Sequence, residues 1–259
     1  MRNQQMRDKL NDAERVKIVE NAKLEIKNHK DVVEYLKSNK RHFTDEGIDF
    51  IVKEFSVGYM PEGVYNLYGD FHEFSGRIIL PIYDQYNELI ALSSRDWREN
   101  AYMKFFHESF PKTRYLYGLN VAKESIIKNK RAILVEGEFD VQYLHYRGIK
   151  ETAGIMSSNL HLYQISLLCR YCKDIYIVFD GDNSGKKSKD KIVNKSISMK
   201  MFSMYDINII PVILPDKMDP DDFVFNNGVK EFNNLLEKSK KDFDEGSDER
   251  IKEEILYKV

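Results

Sequence analysis

The chain has 259 residues, enough for one large domain or two ordinary ones. Charged residues make up 32% and hydrophobic residues 42%, so modest cores are expected under a strongly charged surface. Lys+Arg 40 against Asp+Glu 42 leaves a net charge of −2, which excludes nucleic-acid binding by bulk charge and restricts any such site to a local patch. Two cysteines exclude a disulfide scaffold and a four-Cys zinc site within this chain. No apolar run approaches the roughly 18 residues of a membrane span, and the first residues hold no apolar signal core. The expected compartment is the cytosol, with no membrane partner.

Residues 12–54 read as helical. Val16, Val19 and Ala22 to Leu24 recur at helical spacing, Val32 to Leu36 make a short second helix, and Thr44 is a candidate N-cap for a third from Asp45 to Phe55. Val57-Gly58-Tyr59, followed by Pro61 and Gly63, marks a loop or short strand. From Arg77 to Ser94 the order is apolar, turn, apolar, which predicts a β-hairpin turning at Asp84 to Asn87.

After Gly118 strands and helices alternate. Helices are predicted over 121–129, 139–147, 160–171 and 184–205, and strands over 132–135, 151–155, 174–179 and 207–214. Alternation of this length implies a parallel sheet covered by helices. A further helix is predicted over 229–238, followed by a charged tail that frays or forms one exposed helix.

Three acidic clusters each follow a predicted strand. They are Glu136-Gly-Glu-Phe-Asp140, Asp180-Gly-Asp182, and Asp219-Pro-Asp221-Asp222. Any one of them reads equally as a loop that ends a strand. Together they converge, because an open α/β sheet binds ligands outside the carboxyl ends of its strands. Crowded carboxylates repel unless a divalent cation sits among them. Oxygen-only ligands select Mg²⁺ or Mn²⁺ over zinc, and such a site suits phosphate chemistry.

The motifs resemble those of a known family. Val-Glu136-Gly-x-x-Asp140 followed by Phe-Asp180-Gly-Asp182 resembles the Toprim domain, which is shared by bacterial-type primases, topoisomerases, some nucleases and recombination proteins. Flanking segments narrow this to the catalytic core of DnaG-type primases. They are Val57-Gly58-Tyr59-Met-Pro61, Arg77-Ile-Ile-Leu-Pro-Ile-Tyr-Asp84, Leu116-Tyr-Gly-Leu119 with Ala122-Lys123, Gly181-Asp182-x-x-Gly185-Lys186, and Leu214-Pro-Asp-x-x-Asp219-Pro-Asp221-Asp222-Phe223. In family order they cover about residues 10 to 240.

The resemblance implies an α/β fold: a Toprim-type, Rossmann-like parallel sheet with an N-terminal mixed α+β subdomain and a short helical C-terminal end. The corresponding boundaries are 1–120 for the N-terminal primase-core subdomain, 121–225 for the Toprim metal-binding domain and 226–259 for a truncated helical tail. It implies synthesis of short RNA primers on a single-stranded DNA template from nucleoside triphosphates. Glu136, Asp180 and Asp182 would be catalytic. Two or more Mg²⁺ or Mn²⁺ ions would be held by Glu136, Asp140, Asp180, Asp182, Asp219 and Asp221, with no zinc in this chain. Family basic residues face the metal site across a cleft. The matching positions are Arg77, Arg95, Lys104, Lys112 and Arg114, with Lys186 beside the second acidic cluster as a triphosphate contact.

The residues themselves agree on the basic side. Arg95 to Arg131 holds nine Lys/Arg and four Asp/Glu, a net of +5, and Trp97, Tyr102, Phe105, Phe106 and Phe110 are interleaved with them. Cations track a phosphate backbone and rings stack on bases; a solvated loop with aromatic anchors is the plainer reading. The sequence also departs from the family. Its Gly-Gly-Arg is Ser93-Ser-Arg95, its Pro-Lys-Tyr-x-Asn is Met103-Lys-Phe-Phe-His107, and the stretch from Pro61 to Arg77 is short. The family's Cys/His zinc-binding domain and helicase-binding domain do not occur in this sequence, so a separate zinc-binding subunit and a replicative helicase are expected partners. A phage or other mobile element would suit so compact a core.

Other features have plain readings. Cys169 and Cys172 share a predicted helix face and read as packing. His145 and His161 have no partner pattern, and the lysines from Lys187 to Lys195 read as a solvated helix face. Ser157-Ser158 follows a predicted strand and is a weak candidate for a supporting turn. The alternatives to a primase are a Toprim nuclease using the same metals, and a non-catalytic primase-like subunit that binds nucleotide and single-stranded DNA in a replication complex.

Overall fold

A computed structural model describes residues 11–63, 72–157, 160–179, 207–215 and 218–256, with the backbone alone for 246–256. Two units result. One is the chain up to Lys112 with Tyr117–Val121; the other is Thr113–Leu116 with the chain from Ala122 onward. The predicted helix over 184–205 lies outside the described residues.

In the first unit, Asn11 starts α1 (Asp12–Glu25): its side chain accepts from Glu14 N at 3.0 Å, and its own N–H donates to the Glu14 carboxylate at 2.9 Å. This reciprocal cap satisfies two of the donors a helix start leaves unpaired. A 3₁₀ turn leads to α2 (Lys30–Lys37), and Thr44 caps α3 (Asp45–Phe55) by accepting from Gly47 N at 3.2 Å. Four antiparallel strands follow in spatial order: β1 (Gly58–Met60), β2 (Arg77–Tyr83), β3 (Leu89–Arg95) and β4 (Phe105–His107). The predicted hairpin is β2–β3. Asp84 Oδ1 shapes its turn by accepting from Tyr86 N and Glu88 N at 2.8 and 3.0 Å, and Asn87 takes the left-handed backbone that the turn needs.

The apolar face of α1 lies on this sheet. Ile18, Val19 and Ala22 pack with Met60, Phe74, Ile79 and Leu92. Each of these buried side chains larger than alanine contributes roughly 1.5–3 kcal/mol. Glu108 fixes the angle of approach, since its carboxylate takes Arg15 Nε at 3.1–3.2 Å and Leu92 N at 2.6 Å.

The helix α4 (Leu119–Asn129) carries the chain into the second unit. There β5 (Arg131–Val135), β6 (Thr152–Gly154), β7 (Asp174–Phe179) and β8 (Asn208–Ile213) form a parallel sheet in the order β6-β5-β7-β8. The intervening helices are α5 (Glu138–Tyr146) and α6 (Leu162–Leu168). The last helix, α7 (Pro220–Leu256), is interrupted at Gly228, whose φ of 84° breaks the helical path. Central strands of a parallel sheet are covered on both faces and so read as unbroken apolar runs, as Ala132 to Val135 do. Because β5 connects to β6 on one side and β7 lies on its other, the strand order reverses between β5 and β7. That reversal is where such sheets open a ligand crevice at their carboxyl edge.

Gly58 lets α1 lie close against β1. A Cβ there would sit 2.3 Å from the Ala22 carbonyl carbon, which is backbone and cannot rotate away. Gly58→Ala is therefore expected to destabilise the first unit by about 1–3 kcal/mol, read as a lower urea midpoint at unchanged m-value.

Candidate active site

Parallel strands bring their carboxyl ends to one edge, and the acidic residues follow from that. Glu136 comes directly after β5. Its carbonyl accepts from Met156 N at 3.2 Å, which extends the β5–β6 pairing one step past Val135 and fixes the Glu136 backbone. Gly137 then opens α5. Asp140, three residues on, turns its carboxylate back to Gly137 N at 3.2 Å. A Cβ on Gly137 would meet that oxygen at 2.5 Å, so glycine is what lets Asp140 close the helix start.

The third cluster opens α7. Phe223 N bonds the Asp219 carbonyl at 2.9 Å, Pro220 occupies the first helical position, and Asp221 and Asp222 fill the first turn. This is the order a helix start favours: a carboxylate cap, proline where no N–H is missed, then acids against the positive end of the dipole. One carboxylate oxygen from each of Asp219, Asp221 and Asp222 lies within 4.8 Å of the others, with Asp221 buried and Asp219 exposed. Three oxygens so close, one of them out of water, fit a hard divalent cation. The nearby Tyr143 hydroxyl accepts from Arg147 Nη1 at 2.6 Å. Burial pushes its pKa up, and the Asp221 charge adds to that direction.

Among the described residues this triad forms without Glu136 or Asp140. Asp222 is a member that the predicted ligand set omits; its place one residue after Asp221 in the first helical turn was the available signal. Asp180, Asp182 and Lys186 lie outside the described residues, as does Ser158.

The basic residues separate by environment. Arg77 is buried, with 7% exposed. Its Nε donates to Ser94 Oγ at 2.8 Å, Nη2 to the Lys104 carbonyl at 3.0 Å and Nη1 to Asp96 at 3.4 Å. Burial lowers its pKa, and Asp96 opposes that shift. Arg95 is half-buried with its guanidinium 4.5 Å from the Phe105 ring centroid; the other ring neighbour of Phe105 is His107, parallel within 4°. Lys104 is exposed, and Lys112 sits half-buried in a 3₁₀ turn near His107. Arg114 belongs to the second unit, where it lies over the Tyr163 ring at 5.4 Å.

The cysteines and histidines follow their plain readings. Both thiols are free. Cys169 Sγ donates to the Ile165 carbonyl at 3.1 Å, and burial pushes Cys172 up to about 12, which disfavours the thiolate that redox or metal chemistry needs. His145 Nε2 bonds the Thr152 carbonyl at 2.8 Å in the core, and His161 precedes the first turn of α6.

Comparison with known proteins agrees with this geometry. Residues 133–224 match the Toprim-like family model, so the sheet with its acidic edge is of the Toprim class. The DNA primase of Rickettsia typhi is 31% identical over 236 residues, covering 80% of this chain and 38% of that protein. A solved DnaG catalytic core superposes with a TM-score of 0.74 at 22% identity, covering 87% of this chain and 79% of that one. A DnaG primase catalytic domain solved bound to ssDNA gives 0.69 at 22% identity, covering 88% and 83%. The chain is thus a homologue of the catalytic core of DnaG-type primases, and it spans well under half of the Rickettsia relative it matches. Among the described residues no helix is long and apolar enough to cross a membrane.

His107 provides a test of the basic side. Burial first, then the Lys112 and Arg77 charges, hold its pKa at about 4, against 6.5 for a free imidazole. The unfolded chain therefore takes up this proton at a higher pH than the folded one. The resulting stabilisation is complete above about pH 6.5 and is lost as pH falls toward 4. In urea titrations, His107→Asn is expected to flatten the pH dependence of unfolding across that window. An unchanged pH profile would contradict the half-buried neutral imidazole.

Proposed function

We propose that this chain is a primase catalytic core that synthesises short RNA primers on single-stranded DNA by metal-dependent nucleotidyl transfer. The observation that carries this reading is the close carboxylate triad Asp219, Asp221 and Asp222, set at the start of the helix that follows β8 in a Toprim-like sheet. The similarity to primases also spans 236 residues, far more than the Toprim-like segment 133–224, which favours a primase over a nuclease of the same sheet type.

In this reading Asp219, Asp221 and Asp222, with Asp180 and Asp182, hold two or more Mg²⁺ or Mn²⁺ ions. Bound there, the ions supply charge neutralisation and alignment for an in-line displacement. Glu136, fixed at the end of β5, serves at the reacting centre, and Asp140 supports it by closing the start of α5. The primer 3′-hydroxyl attacks the α-phosphorus of the incoming ribonucleoside triphosphate, a phosphodiester bond forms, and pyrophosphate leaves. Arg95, Lys104, Lys112, Arg114 and Lys186 offer cations to triphosphate and template. Arg77 contributes through the strand edge it holds together. The ssDNA bound by a structurally similar DnaG domain supports the choice of template. A replicative helicase and a separate zinc-binding subunit are the partners proposed, and the replication fork in the cytoplasm is the proposed place of action.

The test is a priming assay with the purified chain, single-stranded DNA, labelled ribonucleotides and Mg²⁺ or Mn²⁺. The Asp219→Asn/Asp221→Asn double variant keeps its helix cap and is expected to lose primer synthesis by more than the roughly 10–100-fold typical of outer-shell changes. Equal synthesis by the variant would overturn the reading, and metal-dependent degradation of the template would replace it with a nuclease.

A further inference from the structure

The loop between β3 and β4 is built rigidly, yet it displays an aromatic ring to water. Its neck is closed by Asp96 N donating to the Lys104 carbonyl at 2.8 Å, and the buried Arg77 reaches the same carbonyl at 3.0 Å. Asp96, 6% exposed, accepts from Arg98 N at 3.1 Å and from its guanidinium at 2.8 Å. Arg98 also donates to Glu62 at 2.6 Å, and Glu99 pairs with Lys40 at 2.7 Å. The charges on the near side of the loop are therefore spent on holding it in place.

The far side is different. Tyr102 is 103% exposed and Met103 49%. Lys104 beside them is exposed and makes no ion pair among the described residues. Neighbouring rings are used internally: Phe105 contacts Arg95 and stacks with His107, and Phe106 packs edge-on against Phe74 at 5.2 Å beside the α1 core. Trp97 and Phe110 are half-buried. Tyr102 is thus the ring of this basic stretch that no fold contact explains.

A fully exposed ring two residues from an unpaired cation, on a fastened loop, matches single-stranded nucleic acid. The ring covers a base face and the cation meets the adjoining phosphate. A duplex hides its base faces within the stack, so it cannot use the ring. Over Arg95 to Lys112, the part of this stretch that belongs to the first unit, four Lys/Arg stand against three Asp/Glu, and the exposed Lys104 gives the tip its complementarity to a phosphate. We propose that Tyr102 stacks on an unpaired base of single-stranded DNA, with Lys104 on the neighbouring phosphate. This deepens the primase reading and rests on it.

The experiment is fluorescence anisotropy with a labelled oligothymidylate across a salt series, on the full chain and three variants. Tyr102→Ala is expected to weaken binding about 5- to 150-fold, the loss of one stacked base, while leaving the salt slope unchanged because no charge is removed. Tyr102→Trp is expected to restore binding. Lys104→Ala is expected to reduce the steepness of the log–log salt slope by about 0.7, the value for one phosphate of a single strand. Wild-type affinity in Tyr102→Ala would overturn the proposal and assign the tip to a protein partner, even with priming by the wild-type chain intact. No binding of the oligonucleotide by the wild-type chain would overturn both this proposal and the primase reading.

Discussion

Carboxylates forced together at the start of one helix are the constraint around which the second unit is arranged. Asp219, Asp221 and Asp222 present oxygens within 4.8 Å of one another, and Asp221 is withdrawn from water. Their mutual repulsion has to be met by something. Part of the answer is local, since the exposed N–H groups and dipole at the start of α7 favour negative charge. In the proposed reading the rest of the answer is a cation, and an all-oxygen site would select a hard one. The triad then explains the Asp-Pro-Asp-Asp order: a cap, a proline that needs no hydrogen-bond acceptor, and two acids in one turn.

Holding such a site in place requires rigid supports on either side. The pairing of β7 with β8 runs in register from Asp174–Asn208 to Phe179–Ile213, which fixes where the chain enters α7. Farther along, Lys240 of α7 bridges back to Asp174 at 3.5 Å, and Asn233 accepts from Arg131 at 3.1 Å, so α7 is fastened to the starts of β7 and β5. The first unit uses the same approach for a different purpose. Arg77 and Asp96 are nearly buried, and truncating Asp96 would leave the Arg77 charge uncompensated, whereas Asp96 also pairs with Arg98 at 2.8 Å. Their bonds go to the backbone and side chains at the β3–β4 edge. Arg77, which the sequence presents as a ligand contact, bonds here to Ser94 and to the Lys104 carbonyl.

Much of this was legible because it rests on local pattern. Apolar runs ending in acids mark β5, β7 and β8, and the parallel sheet follows from their alternation with helices. Thr44 capped α3 as its side chain implies. The strand β4 was not legible: Phe105–His107 is three residues in a charged stretch, and only pairing with β3 makes it a strand. The helix expected over 229–238 is present and starts directly after Gly228, whose φ of 84° and ψ of 166° are non-helical; the helical stretch that precedes it from Pro220 was not read from the sequence. The triad membership of Asp222 and the burial of Arg77 depend on three-dimensional neighbours. For Arg77 the partner is Asp96, which no local periodicity links to it.

The most direct test of the account is a calorimetric titration of Mn²⁺ into the wild-type chain and into the Asp219→Asn/Asp221→Asn variant, alongside the metal-free stability of both. The account predicts saturable Mn²⁺ binding to the wild-type chain, strong loss of that binding in the variant, and a metal-free variant at least as stable as the wild type because like charges have been removed. The same Mn²⁺ isotherm in both proteins would contradict it.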